Sequence, residues 1–223
     1  LPEKPEVIVL DDGFQHRYVK ADINIMLVDY NRPIYEDHLL PLGRLRESQK
    51  AKDRANYIIV TKCPPNISPI EKRIISKHLN LRAYQQLLFT TMKYGDILPL
   101  DGSGHCPITP KGSILCVTGI AQPAPYVEHL KKYSEQIKHI AFPDHHNYSD
   151  PDVQRILQEY SQINNPNKCI FTTEKDAVRL KLCNIPEDIR QQIFYIPIEP
   201  EFLTPKDQLI KNIYDYVRQD KRK

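Results

Sequence analysis

The stretch that decides the fold is Val7-Ile8-Val9-Leu10-Asp11-Asp12-Gly13-Phe14-Gln15-His16-Arg17. Four apolar residues ending in an acid describe a buried strand whose carboxyl end carries a carboxylate to the crevice where α/β proteins bind ligands. Two further runs, 23–28 and 57–60, are short, β-branched and nearly continuous, as parallel strands buried on both faces must be. A helix signal follows them: Ser68-Pro69-Ile70-Glu71 supplies an N-cap, a first-turn proline and a capping-box glutamate. The habit then repeats. Runs 114–117, 140–142, 169–171 and 193–198 each precede a helix start, near Pro123, Ser149, Glu174 and Pro205. Between the blocks, 87–93, Tyr94-Gly95-Asp96 and 97–100 read as an extended hairpin, followed by a loop through Asp101-Gly102-Ser103-Gly104 to Pro110. The expected fold class is α/β, with units at 1–85 and 113–223 joined by a β-hairpin linker at 86–112. The last helix is free to pack back on the first unit.

Composition narrows the partners. The 223 residues carry 31 Lys+Arg against 28 Asp+Glu, a formal +3, too mild for the concentrated basic stripe of a nucleic-acid binder. Five cysteines, odd in number and without a C-x-x-C pair, fit reduced thiols better than a disulfide framework or a zinc site. Apolar runs stop at roughly 6–8 residues, far short of the ~18 that span a bilayer. With 7 glycines against 19 prolines, little material remains for phosphate-cradling loops. No G-x-x-x-x-G-K-[ST] and no G-x-G-x-x-G after a strand occurs in these residues. The chain starts at Leu1, close to a strand, and reads as a piece of something longer.

Three clusters could carry chemistry. In P-loop nucleotidases an acid at a strand end orients Mg²⁺ against the β- and γ-phosphates, which is the role open to Asp11. Asp12 adjoins it, Gly13 permits a tight turn, and Gln15, His16 and Arg17 add polar groups. An apolar run plus Asp is by itself more often the start of a turn; the added polar cluster favours function. The second cluster is Phe142-Pro143-Asp144-His145-His146-Asn147-Tyr148. An acid beside two histidines supplies an acid/base pair or metal ligands, and a polar loop capping the next helix explains the same residues equally well. In the third, Arg44, Arg46, Lys50, Lys52 and Arg54 outnumber Glu47 and Asp53. On a helix, Arg46, Lys50 and Arg54 would share a face suited to anionic substrates, although a solvated charged face is the commoner cause of such a run. Thr173 with Asp176 three residues on reads as a helix cap.

Taken in order, five motifs resemble the tetraacyldisaccharide 4'-kinase family, the bacterial lipid A 4'-kinases. They are Asp11-Asp12-Gly13-Phe14-Gln15-His16, Leu40-Pro41-x-Gly43-x-Leu45-Arg46-Glu47, Thr118-Gly119-Ile120-Ala121-x-Pro123, Phe142-x-Asp144-His145 and Thr173-Glu174-Lys175-Asp176-Ala177-Val178. Arg44 stands where the resemblance leads one to expect proline. The resemblance implies ATP- and Mg²⁺-dependent transfer of the γ-phosphoryl to the 4'-hydroxyl of a lipid-linked glucosamine disaccharide, the lipid A precursor. It also implies a P-loop NTPase-like parallel-sheet domain, of which this chain holds the latter part, a two-stranded linker and a smaller α/β domain. By the same resemblance Asp11 binds the Mg²⁺ and nucleotide, and Asp12 and His145 are catalytic. Gln15, His16, Arg46 and Glu47 then bind substrate or phosphate. Peripheral contact with the cytoplasmic face of the bacterial inner membrane is implied as well.

The family's Walker A lysine, catalytic aspartate and membrane-associating helix lie upstream of the Asp11 motif, and no position here corresponds to them. The 223 residues alone are therefore expected to be inactive, with apolar faces of the first unit exposed. Two readings of other classes compete. One is a metal-dependent phosphoesterase built on Asp144-His145-His146, and the other is a non-catalytic α/β binding module.

Overall fold

The computed structural model describes residues 7–16, 18–102 and 106–220. Arg17 of the first cluster, Ser103-Gly104-His105 of the expected loop and 221–223 of the basic tail lie outside the described residues. The chain divides into two compact units, one of Leu1–Lys93 with Pro200–Lys223 and one of Tyr94–Glu199.

In the first unit, β1 (Ile25–Asp29), β2 (Tyr57–Thr61) and β3 (Gln86–Tyr94) run parallel, and β9 (Ile198–Phe202) completes the order β1-β2-β3-β9. Helix α1 (Pro69–Leu79) starts as its sequence dictates, with Ser68 accepting from the Glu71 N–H and Glu71 accepting from the Ser68 N–H. It ends at Asn80, whose left-handed backbone (φ 45°) stops the helix. One face of β2 and β3 packs Ile58, Val60 and Phe89 against Ile75 and Leu79 of α1. The other packs Tyr57, Ile59 and Leu88 against Leu209 and Ile213 of the last helix, α6 (Asp207–Asp220).

The second unit holds β4 (Leu98–Pro99), β5 (Ser113–Thr118), β6 (Gln136–Ala141), β7 (Lys168–Thr173) and β8 (Ile193–Ile196) in the order β4-β8-β7-β5-β6. The four longer strands are parallel and β4 is antiparallel to β8. Helices α2 (Ala124–Leu130), α3 (Asp150–Ser161) and α4 (Glu174–Leu180) form the crossovers, and a single turn, α5 (Glu187–Arg190), precedes β8. Strand β5 is buried at every position. Its Leu115 and Val117 meet Val153, Ile156 and Leu180 of α3 and α4, while Ile114 and Cys116 meet Tyr126 and Leu130 of α2. Each large side chain buried in this way contributes roughly 1.5–3 kcal/mol, so two-sided burial makes β5 a main contributor to the unit's stability.

Three expectations need correction. Residues 7–10 form no strand: Val7, Ile8, Val9 and Leu10 are 52%, 74%, 87% and 49% exposed, and they find neither a sheet neighbour nor a core among the described residues. The hairpin of 87–93 with 97–100 also fails. β3 lies beside β2 and β9, β4 beside β8, and the Gly95 N–H bonds the Pro197 carbonyl. Leu87, Leu88 and Phe89 gain more from burial beside β2 than a local turn could return. The two strands through which the chain passes between units are instead β3 and β9. Finally, 49–54 is a 3₁₀ helix that starts after Arg46, so Arg46, Lys50 and Arg54 share no helix face.

Among the described residues no helix is long and apolar enough to cross a membrane. Ser68→Ala removes one half of the α1 capping box. It is expected to lower the unfolding free energy of the first unit by about 1 kcal/mol, read as a shift in the urea midpoint.

Candidate functional site

Loop contacts gather the charged residues of the first unit. Asp12 and Arg46 form a bidentate pair, Nη2 to Oδ1 at 2.9 Å and Nη1 to Oδ2 at 3.3 Å. The guanidinium holds the Asp12 carboxyl below its ordinary range, and the carboxylate raises Arg46 in return. Both ends are open to solvent, at 57% exposure for Arg46 and 72% for Asp12. The tight turn is made at Asp12 itself (φ 48°), a conformation Asp tolerates. Gly13 is needed for a different reason than the turn: a Cβ there would lie 2.7 Å from Leu10 Cβ.

Arg54 organises the second side of this cluster. Its Nη2 donates to Glu47 Oε2 at 2.5 Å and to the Phe14 carbonyl at 2.9 Å, and its guanidinium lies 4.7 Å from the Phe14 ring centre. The Leu45-Arg46-Glu47 segment is thereby tied to the turn that carries Asp12. A pocket of about 70 Å³ opens between them, lined by Phe14, Gln15, Leu45, Arg46, Glu47 and Ser48. On the same measure one water needs about 10–15 Å³, so several fit. Among the described residues Gln15 Oε1 is buried without a hydrogen-bond partner, leaving a polar acceptor that faces the pocket unused. His16 and Asp11 are exposed, and among the described residues the Asp11 carboxylate makes no hydrogen bond or ion pair.

The neighbouring turn depends on Gly43, where a Cβ would fall 2.2 Å from the His38 carbonyl oxygen. Arg44, in the expected proline position, uses the N–H that proline lacks. It donates to Asp37 Oδ1 at 3.1 Å, and this bond with that of the His38 N–H holds the Asp37 carboxyl below its ordinary range.

The second unit carries His145, in the loop after β6. Its backbone is left-handed (φ 58°), fixed by an N–H bond to the Gly119 carbonyl at 3.1 Å. Its side chain is 75% exposed, with Asp144 Oδ2 3.8 Å from Nε2 and Arg179 Nη2 3.4 Å from Nδ1. His146 turns the other way. It stacks on Phe142 at 4.7 Å and bonds Asp152 Oδ2 at 3.0 Å. His146 thus points away from the Asp144–His145 pair, and among the described residues no three His, Cys, Asp or Glu side chains converge on a metal position. The Asp-His-His phosphoesterase reading loses its geometry here.

Residue Asp176, read from sequence as a cap, does more than cap. It is fully buried and accepts from the Gly119 N–H at 2.9 Å, Thr173 Oγ1 at 2.7 Å and Arg179 Nη1 at 3.1 Å. Thr173 does accept from the Asp176 N–H, so the cap exists as well. Burial, with the charge of Asp176 added, pushes the neighbouring Tyr148 phenol upward. The signal available in sequence was the pairing of Thr118-Gly119 with Thr173-Glu174-Lys175-Asp176 at two strand ends. Arg54 and Arg179 carried no local signal apart from charge.

Two α/β units with polar and charged side chains on their connecting loops define an enzyme-like architecture. The chain belongs to the family described as tetraacyldisaccharide-1-P 4'-kinase, which it matches over residues 2–218. It is 46% identical to the tetraacyldisaccharide 4'-kinase of Phocaeicola vulgatus, over 97% of this chain and 61% of that protein. Identity to the corresponding kinase of Bacteroides fragilis strain YCH46 is 43%, over 100% of this chain and 62% of that one. The chain therefore spans about 60% of the length of the curated relatives it matches. A crystal structure of LpxK from Aquifex aeolicus in complex with ATP has the same fold over 91% of this chain and 55% of its own, with a TM-score of 0.60 at 22% identity.

At the start of α3, the Ser149 N–H and Oγ both donate to Asp152 Oδ2, and with His146 they hold the Asp152 carboxyl down to about 2. A depressed carboxyl stabilises the fold above its unfolded value and loses that contribution as pH falls toward the folded one. Asp152→Asn is expected to weaken the second unit at pH 7 and to flatten the decline in stability between about pH 4 and pH 2. Urea titrations at stepped pH measure both effects.

Proposed function

We propose that the protein transfers the γ-phosphoryl group of ATP to the 4'-hydroxyl of a tetraacylated glucosamine disaccharide 1-phosphate, a step in lipid A biosynthesis. The observation that carries this reading is the family match across residues 2–218 together with the Asp12–Arg46 pair beside the Gln15 pocket. The names of the relatives and the ATP in the Aquifex aeolicus structure agree with it.

Phosphoryl transfer depends on positioning and on neutralising charge, which these side chains supply in different ways. Mg²⁺ characteristically takes one or two carboxylates, with phosphate oxygens and water as its other ligands. Asp11, exposed and unpaired among the described residues, fits that demand and is the residue we assign to it. When bound, the ion offsets the charge of the β- and γ-phosphates. Asp12, both of whose oxygens accept from Arg46, is fixed in place, and its part is to orient the acceptor hydroxyl and stabilise positive charge near it. Arg46 spends two N–H groups on Asp12 and keeps others for a phosphate oxygen. Gln15 and Glu47 offer acceptors to sugar hydroxyls, and His16 a donor to phosphate. His145, on the second unit, is proposed as the second catalytic residue. Peripheral contact with the cytoplasmic face of the inner membrane follows from the acylated substrate.

A polypeptide of only these 223 residues, which contain no phosphate-cradling loop motif, is expected to show no transfer of label from ATP to the lipid disaccharide. In the complete gene product, Asp12→Ala and His145→Ala are each expected to lower kcat about 100-fold or more, the loss typical of removing one group that stabilises transition-state charge. His146→Ala should keep kcat while lowering the melting temperature. Unchanged turnover in Asp12→Ala would remove the catalytic assignment.

A further inference from the structure

The second sheet reverses its strand order between β5 and β7, giving β6-β5-β7-β8 along its parallel part. In open α/β sheets the crevice at such a reversal, beyond the strands' carboxyl ends, is where ligands sit. Here the buried carboxylate of Asp176 fills it. The Gly119 N–H, at the end of β5, and Thr173 Oγ1, at the end of β7, both donate to Asp176 Oδ2. Gly119 is needed for this approach, since a Cβ would stand 3.0 Å from Asp176 Oδ1 and 3.3 Å from the Pro143 carbonyl oxygen.

Two routes lead from this carboxylate to His145. Through the backbone, Gly119 gives its N–H to Asp176 and takes the His145 N–H on its carbonyl at 3.1 Å. Through side chains, the two arms of one guanidinium are divided: Arg179 Nη1 holds Asp176 at 3.1 Å and Nη2 reaches His145 Nδ1 at 3.4 Å. A guanidinium has donors only, so Nδ1 must accept and the ring proton resides on Nε2, the side on which Asp144 Oδ2 lies at 3.8 Å.

We propose that Asp176 and Arg179 are positioning residues for His145: together they set its backbone, its ring orientation and its Nε2–H tautomer, so that it presents a donor to an anionic oxygen. Buried in place, Asp176 keeps the guanidinium from following solvent, and the strained His145 backbone keeps the ring within its reach. The proposal rests on the reading of His145 as a catalytic residue, and the test separates the two.

In the complete gene product, kcat and KM for ATP are compared for Arg179→Ala, His145→Ala and the double variant, and ring ¹⁵N shifts of His145 are recorded by NMR. Displacing a functional side chain by about 1 Å can cost up to about 100-fold, so a loss in kcat of roughly tenfold with KM nearly unchanged is expected for Arg179→Ala. No further loss is expected once His145 is alanine, and the ¹⁵N pattern should move from the Nε2–H tautomer to a mixture. Equal fold losses in both backgrounds, or an unaltered tautomer, would overturn the proposal, because Arg179 would then act only through the fold. If His145→Ala itself keeps full kcat, the catalytic reading of His145 is what fails, and the ¹⁵N shifts still decide whether Arg179 positions the ring. Asp176→Asn, which cannot satisfy all three donors, should shift the tautomer in the same direction. Should that variant not fold, Arg179→Ala decides alone, since its side chain is 23% exposed and its removal leaves Asp176 bonded to Gly119 and Thr173.

Discussion

A carboxylate with no exposure to solvent has to be satisfied from within the protein, and in the second unit that demand falls at Asp176. Removing one partner from a buried ion pair typically costs about 3–5 kcal/mol, because the remaining charge is stranded. The ends of β5 and β7, the start of α4 and the loop after β6 therefore cannot relax independently of one another. Two of these elements bring their donors through backbone geometry, Gly119 at a strand end and Thr173 at a helix cap. The third, Arg179, spends one arm on the carboxylate and has the other to spare. A ligand crevice has become a structural joint, and the side chain displaced outward from it is His145.

The charge pair of the first unit works under the opposite condition. Asp12 and Arg46 lie in solvent, where screening leaves an ion pair little power to stabilise a fold. Their bidentate geometry is nonetheless defined, because Arg54 anchors the segment holding Arg46 to the carbonyl of Phe14. Stability is supplied by the half-buried Arg54 and its stacking on Phe14, and accessibility is left to Arg46. Such a division leaves the Arg46 guanidinium accessible while the loop that carries it keeps its fold.

Much of the architecture was legible because burial on both sheet faces leaves a local trace. The runs at 57–60, 114–117 and 169–171 fall within β2, β5 and β7, and Ser68-Pro69-Ile70-Glu71 caps α1 as its spacing dictates; the run at 193–198 is instead broken at Pro197, its first four residues forming β8 of one sheet and Ile198 opening β9 of the other. The failures share a cause in non-local competition. Residues 7–10 have the composition of a strand, but strand formation needs a neighbour's backbone, which composition does not report. Residues 87–93 look like half of a hairpin because a good turn follows them, yet they pair in parallel with β2, a neighbour distant in sequence that a local turn signal does not report. The four-residue spacing of Arg46, Lys50 and Arg54 suggested one helix face, but the helix begins too late and winds too tightly. Asp176 was recognised only as a cap since its other partner, Gly119, is 57 residues away.

The two residues assigned to catalysis share a backbone feature that no pattern of residue types reveals. Asp12 and His145 both have positive φ, at 48° and 58°, where L-residues with a Cβ are disfavoured. Glycine would fit either position with less strain, so conformational preference alone does not explain why these side chains stand there. A left-handed residue in a tight turn projects its side chain away from both flanking segments, which keeps a charged group clear of the chain that carries it. The opposing cost is met by bonds from elsewhere in the chain: the Gly119 carbonyl holds the His145 N–H, and Arg46 grips the Asp12 carboxylate. Strain is thus held at both points by partners from other motifs, Gly119 for one and Arg46 for the other.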